Sequence, residues 1–135
     1  MTIELNLTFH HTGVATTNME EAIHNYKQLF GEDCASRIFK IHSQKVNVCF
    51  IKVGENCFLE LVEPSEEDSS IYRLLKKGHS YYHIGYSTKN IESTVEHMVA
   101  LNYKPFDFFN SEAFNNKRCI FLFSPEGHLL ELIEE

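Results

Sequence analysis

The sequence predicts an α+β fold in which one βαβββ module is used twice. Three observations lead there. The chain repeats itself at an offset of 72 and then 71 positions. Each repeat runs from strand-like alternation to helical spacing and back to three short strand-like stretches. Turn residues punctuate the two repeats at matching places. At the offset of 72, His11-Thr-Gly-Val-Ala-Thr-Thr-Asn-Met-Glu20 falls on His83-Ile-Gly-Tyr-Ser-Thr-Lys-Asn-Ile-Glu92. At 71, Leu59-Glu60-Leu61-Val62-Glu63 falls on Leu130-Glu131-Leu132-Ile133-Glu134, and Phe50 falls on Phe121. One inserted or deleted residue within the half accounts for the drift.

The elements follow in order. Leu7 to Ala15 is strand-like. Asn18 then offers an N-cap with Glu21 three residues on, the spacing of a capping box. Met19, Ala22, Ile23, Tyr26, Leu29 and Phe30 recur at helical spacing, and Gly31 can close the helix. Strands are expected at Cys34–Ile41, Val46–Val53 and Cys57–Glu63, the last two separated by the turn Gly54-Glu55-Asn56. The second half predicts a strand at Tyr81–Ser87, a helix from Asn90 to Leu101, and strands at Tyr103–Phe109, Arg118–Phe123 and Leu129–Glu134. Pro125-Glu126-Gly127 is its turn. Between the halves, a short helix over 69–77 should pack Ile71, Leu74 and Leu75 inward. The expected organisation is one domain over 1–135, with modules at 6–64 and 80–135 joined by that helix.

Composition limits the function. At 135 residues and 43% hydrophobic, the chain suffices for one core and is short for two ordinary domains. The formal charge is −7 and the basic residues are scattered, so neither nucleic acid nor an anionic membrane is an expected partner. Cys34, Cys49, Cys57 and Cys119 lie far apart without a CxxC pair and read as reduced core residues. The start MTIELNLTFHH lacks the basic and long apolar stretches of a signal peptide, and a cytoplasmic location is expected.

Chemistry enters through the alternation of strand side chains. His11, Gly13 and Ala15 share a face, as do His83, Gly85 and Ser87. Phe58, Glu60 and Val62 share another, matched by Leu129, Glu131 and Ile133. Each of Glu60 and Glu131 thus has apolar neighbours on its own face, and a carboxylate there is costly unless paired or bound to a cation. A lone strand histidine is usually a packing residue, and a lone glutamate in LELVE can face solvent. Recurrence of all four at matched positions favours a joint role: two imidazoles and two carboxylates suit a divalent first-row ion with positions left open. Glu63 and Glu134 fall on the opposite face and are expected in solvent. His10, His24, His42, His79, His97 and His128 lack such pairing and read as surface or packing residues.

The H-x-G strand, capped helix and L-E-L strand, all repeated, resemble the vicinal-oxygen-chelate (glyoxalase/bleomycin-resistance/dioxygenase) superfamily over essentially the whole chain. The resemblance implies paired modules whose curved mixed sheet forms a cleft. It further implies one divalent ion (nickel, cobalt, manganese or zinc) held by His11, Glu60, His83 and Glu131. Glu60–Ser87 looks like methylmalonyl-CoA epimerases, and His128–Glu135 looks equally like glyoxalase I. Where those epimerases carry a Gly-Ala-His-Gly-like stretch, this chain has Ala113-Phe114-Asn115-Asn116-Lys117-Arg118.

The implied activity is that of a metal-dependent lyase or isomerase moving a proton on a small thioester or hemithioacetal substrate. Glu131 would be the base, Glu60 its partner, and a homodimer the assembly. A drug-binding protein of the bleomycin-resistance type is the alternative. Phe109 and Phe114 could cover the cleft from the loop Asn110–Asn116, whereas Phe106 and Phe108 are expected in the core of the sixth strand. Lys76, Lys77, Lys117 and Arg118 are candidate phosphate or carboxylate contacts, though such short clusters are more often solvated surface.

Overall fold

Asn18 starts the first helix as its spacing predicts. In a computed structural model of the chain, which describes residues 5–135, the Asn18 side chain accepts a hydrogen bond from the Glu21 amide. Helix α1 runs Met19–Phe30, and Gly31, at φ 96°, turns the chain out of it. In the second repeat Asn90 accepts from the Ser93 amide at the start of α3, Ile91–Ala100. The short helix α2, Ser70–Lys76, buries Ile71 completely and leaves Leu74 and Leu75 half-buried.

Eight strands complete the described structure. They are β1 (Thr8–Ala15), β2 (Phe39–Ile41), β3 (Val46–Gly54), β4 (Cys57–Pro64), β5 (Tyr81–Thr88), β6 (Lys104–Ser111), β7 (Lys117–Phe123) and β8 (Leu129–Glu134). In the first repeat the order is β2-β3-β4-β1, and in the second β6-β7-β8-β5. Within each, the first strand runs parallel to the last, and the other neighbours are antiparallel. The predicted βαβββ module is therefore present twice. Among the described residues no helix is long and apolar enough to cross a membrane.

By compactness the chain divides into two units. One is His11–Tyr82; the other is His83–Glu135 with the described residues up to His10. The first builds its core from Met19, Cys34, Cys49, Ile51 and Leu61, and the second from Ile91, Met98, Ile120, Leu122 and Leu132. Met19 and Ile91, Cys49 and Ile120, Ile51 and Leu122, and Leu61 and Leu132 are repeat equivalents. Each module thus places its helix on one face of its strands and buries the same positions there, leaving the opposite face for the histidines and glutamates. All four cysteines are free thiols, with only Cys57 partly exposed. Burial pushes the Cys49 thiol up, against hydrogen bonding from Ser36.

Several expectations are corrected. Cys34–Ile41 is not one strand: Glu32–Cys34 form a 3-10 turn, and pairing is limited to Phe39–Ile41 and an isolated bridge from Ala35 to Ile51. Between them Ser36 runs beside β3 and bonds Phe50 through both backbone and hydroxyl. Its amide donates to the Phe50 carbonyl at 2.9 Å, and its Oγ accepts from the Phe50 amide at 2.9 Å. A side chain replaces part of the strand ladder.

The loop expected at Asn110–Asn116 is shorter, since β6 extends to Ser111 and a 3-10 turn occupies Glu112–Phe114. Phe106 and Phe108, expected in the core, are 52% and 44% exposed. The register of β6 slips between Pro105 and Phe108, which breaks the alternation on which the core expectation rested.

Candidate functional site

Each H-x-G strand sets its histidine and its glycine on one face. In the unit 11–82, Gly13 of β1 lies directly across from Glu60 of β4. Having no side chain there, the glycine leaves the space beside Glu60 to the carboxylate and to the neighbouring imidazole. His11 is completely buried and Glu60 is 5% exposed, with His11 Nε2 3.6 Å from Glu60 Oε1. On the other side of β4, Phe50 pairs with Glu60, and its ring meets His11 edge-on at 5.8 Å.

The other unit repeats the arrangement. Gly85 of β5 lies across from Glu131 of β8, and Phe121 of β7 pairs with Glu131. His83 is 1% and Glu131 4% exposed, with Nε2 3.2 Å from Oε1. Phe121 meets His83 edge-on at 5.3 Å. The structure thus brings the four predicted residues together as two buried pairs, one in each unit. All four are buried and of types that ligate metal ions. The two phenylalanines belong to the same construction, and their signal in the sequence is the offset that places Phe50 on Phe121.

The surrounding polar residues hold the scaffold. Glu63, expected in solvent, is half-buried: its Oε2 accepts from the Met19 amide at 2.7 Å and its Oε1 from Asn47 Nδ2 at 3.2 Å. Glu134, also half-buried, accepts from Arg118 Nε and Nη2 at 3.2 and 2.9 Å. Hydrogen bonding to Arg118 holds the Glu134 carboxyl below its ordinary value. Arg118 also donates to Glu92 at 2.8 Å and lies over the Phe108 ring. It is therefore tied into the scaffold by two carboxylates, where solvated surface was the favoured expectation. Lys76 lies 5.2 Å from the centre of the Tyr72 ring. Phe109 stacks on Phe121, while Phe114 meets His10 edge-on.

Comparison with known proteins agrees with this construction. Over residues 10–123 the chain matches the family described as the Glyoxalase/Bleomycin resistance protein/Dioxygenase superfamily. It belongs to that superfamily. Among individual proteins, it is 30% identical over 129 residues to the mitochondrial methylmalonyl-CoA epimerase of Dictyostelium discoideum, covering 93% of this chain and 76% of the relative. It is 29% identical over 127 residues to the uncharacterised protein YqjC of Bacillus subtilis, covering 92% and 89%.

Solved structures share the fold. A hypothetical protein of Bacillus halodurans superposes with a TM-score of 0.84 at 23% identity, covering 96% of this chain and 95% of that one. Methylmalonyl-CoA epimerase from Mycobacterium tuberculosis gives 0.83 at 20% identity, covering 99% and 92%.

Proposed function

We propose that this chain is a divalent-metal-dependent isomerase that moves a proton at the carbon beside a thioester carbonyl, with His11, Glu60, His83 and Glu131 holding one ion. The observation that carries the reading is the pair of buried His–Glu contacts at equivalent strand positions, 3.6 and 3.2 Å between Nε2 and Oε1. Two ligands each about 2.1 Å from one ion, at tetrahedral or octahedral angles, lie about 3.0–3.4 Å apart. Both pairs are close to that spacing, and 3.6 Å is too long for an ordinary hydrogen bond. Two neutral imidazoles and two carboxylates would balance a divalent charge, and they suit nickel, cobalt, manganese or zinc. The donor set fits the group.

When bound, the ion supplies Lewis acidity to a substrate oxygen, which lowers the cost of negative charge developing next to the broken C–H bond. The protein supplies the proton chemistry. Glu131 takes the proton from the carbon, and Glu60, its repeat equivalent, returns one to the opposite face of the flattened carbon. Inversion needs two bases, and duplication provides them. Apolar neighbours on the strand faces and the rings of Phe50 and Phe121 keep bulk water from the two carboxylates. A thioester is preferred as substrate because the Dictyostelium relative is named a methylmalonyl-CoA epimerase.

The test is exchange of the α-proton of methylmalonyl-CoA with deuterated water, catalysed by metal-stripped protein reloaded with each of the four metals. Metal-dependent exchange supports the reading. Exchange absent there but turnover of a methylglyoxal–thiol adduct present would move the chain to hemithioacetal isomerisation. Metal bound with neither reaction would overturn the assigned chemistry, and no metal bound would favour a non-catalytic small-molecule binder.

A further inference from the structure

The unit containing His83 and Glu131 carries an aromatic surface that the chemistry above does not use. Along β7, Phe121 and Phe123 point to the same face, the one that bears Glu131, because strand side chains alternate. Phe121 touches His83, and Phe109 of β6 stacks on Phe121 with centroids 5.6 Å apart and planes 16° from parallel. Between Pro105 and Phe108 the register of β6 against β7 slips by one, so Phe106 and Asp107 together oppose Phe121. Such a bulge re-aims a side chain. Here it brings Phe106 onto Phe123, ring edge to ring face at 5.3 Å. The result is two groups of rings on one strand face: Phe109 and Phe121 beside the buried His83, and, two residues along β7, Phe123 with Phe106, which remain 40% and 52% exposed.

Two adjacent rings held in water contribute little to stability, and contiguous exposed apolar surface marks a binding place. A second copy adding to the β6 edge fits poorly. Lys104, Pro105, Asp107 and the bulge are the features by which edge strands resist pairing. The rings' place on the strand face that bears Glu131, one step along β7 from the ring that meets His83, points instead to the substrate. We infer that this surface receives an aromatic substituent on the substrate, so that the chain prefers aryl-bearing thioesters to those with a methyl group. The inference rests on the proposed role of His83 and Glu131 and adds the substrate class.

The experiment is calorimetric titration of metal-loaded protein with phenylacetyl-CoA and with propionyl-CoA, for the wild type and for Phe106→Ala and Phe123→Leu. The expected result is tighter binding of the phenyl ester by about tenfold, the effect of burying one further ring edge. Phe106→Ala should remove most of that preference and leave the propionyl affinity and the urea midpoint unchanged. Equal affinities in the wild type, an equal loss for both esters in the variant, or no binding of either would overturn the inference. So would conversion of a dimer to monomers by Phe106→Ala in sedimentation, which would assign the surface to a second copy. Binding is read without turnover, so a wild type that prefers the phenyl ester but exchanges no α-proton would sink the proposed reaction and leave this inference standing.

Discussion

Glu63 and Glu134 occupy equivalent positions in the two repeats and are put to different structural uses. Glu63 accepts from the amide of Met19, the first residue of α1, where the helix dipole favours a negative charge. Glu63→Gln should lower stability by about 1 kcal/mol, read as a shift in the urea midpoint at unchanged slope. Glu134 is tied to Arg118, whose hydrogen bonds hold its carboxyl below the ordinary value of 4.5. A depressed carboxyl contributes stability that is fully present above the unfolded value and is lost as pH falls through the folded one. The stability difference between wild type and Glu134→Gln should therefore be constant near neutrality and shrink below about pH 4.5. A difference that grows on acidification would contradict the pairing. Glu131, three residues away on the other face, behaves differently. Glu131→Gln should cut turnover at least about a hundredfold, with the far-ultraviolet circular dichroism unchanged. Full activity in that variant would remove Glu131 as the base.

The helices are where sequence and structure agree best. Asn18 and Asn90 cap α1 and α3 through the amides three residues on. Replacing either by Ala should cost about 1 kcal/mol. Measuring the two variants and their combination tests whether the two caps act independently. Caps, helical spacing and the repeat were legible because each is a local pattern or a comparison of the chain with itself. The candidate ligands were legible for the same reason: His11 and His83, or Glu60 and Glu131, are ordinary singly and informative only as matched pairs.

The strands were less legible wherever a side chain or a bulge interrupts alternation. At Ser36 the hydroxyl substitutes for a ladder bond, so alternation from Cys34 to Ile41 implied more strand than exists. At Phe106 the slipped register placed a ring outside that period-2 reading assigned inside. The ties of Arg118 were not legible, because a basic residue in sequence does not reveal that Glu92 and Glu134 lie beside it in the fold.

For the whole molecule, duplication poses a question of stoichiometry. Each unit supplies one buried His–Glu pair. Two ligands of protein origin are few for tight binding of a first-row ion, whereas four are ample. If each pair bound separately, the stripped chain would take two weak equivalents, and His11→Ala would leave the second untouched. If the pairs act jointly, it should take one tight equivalent, and His11→Ala and His83→Ala should each abolish it. Ligation by residues from both repeats would then couple metal to folding, because the complete site exists only in the native chain. Saturation at one hundred times the dissociation constant should raise the stability of the whole chain by about 2.7 kcal/mol. A single unfolding transition shifting upward as one would support joint ligation. Two transitions, with only one moving on addition of metal, would show that a single unit binds it and that the repeats do not share an ion.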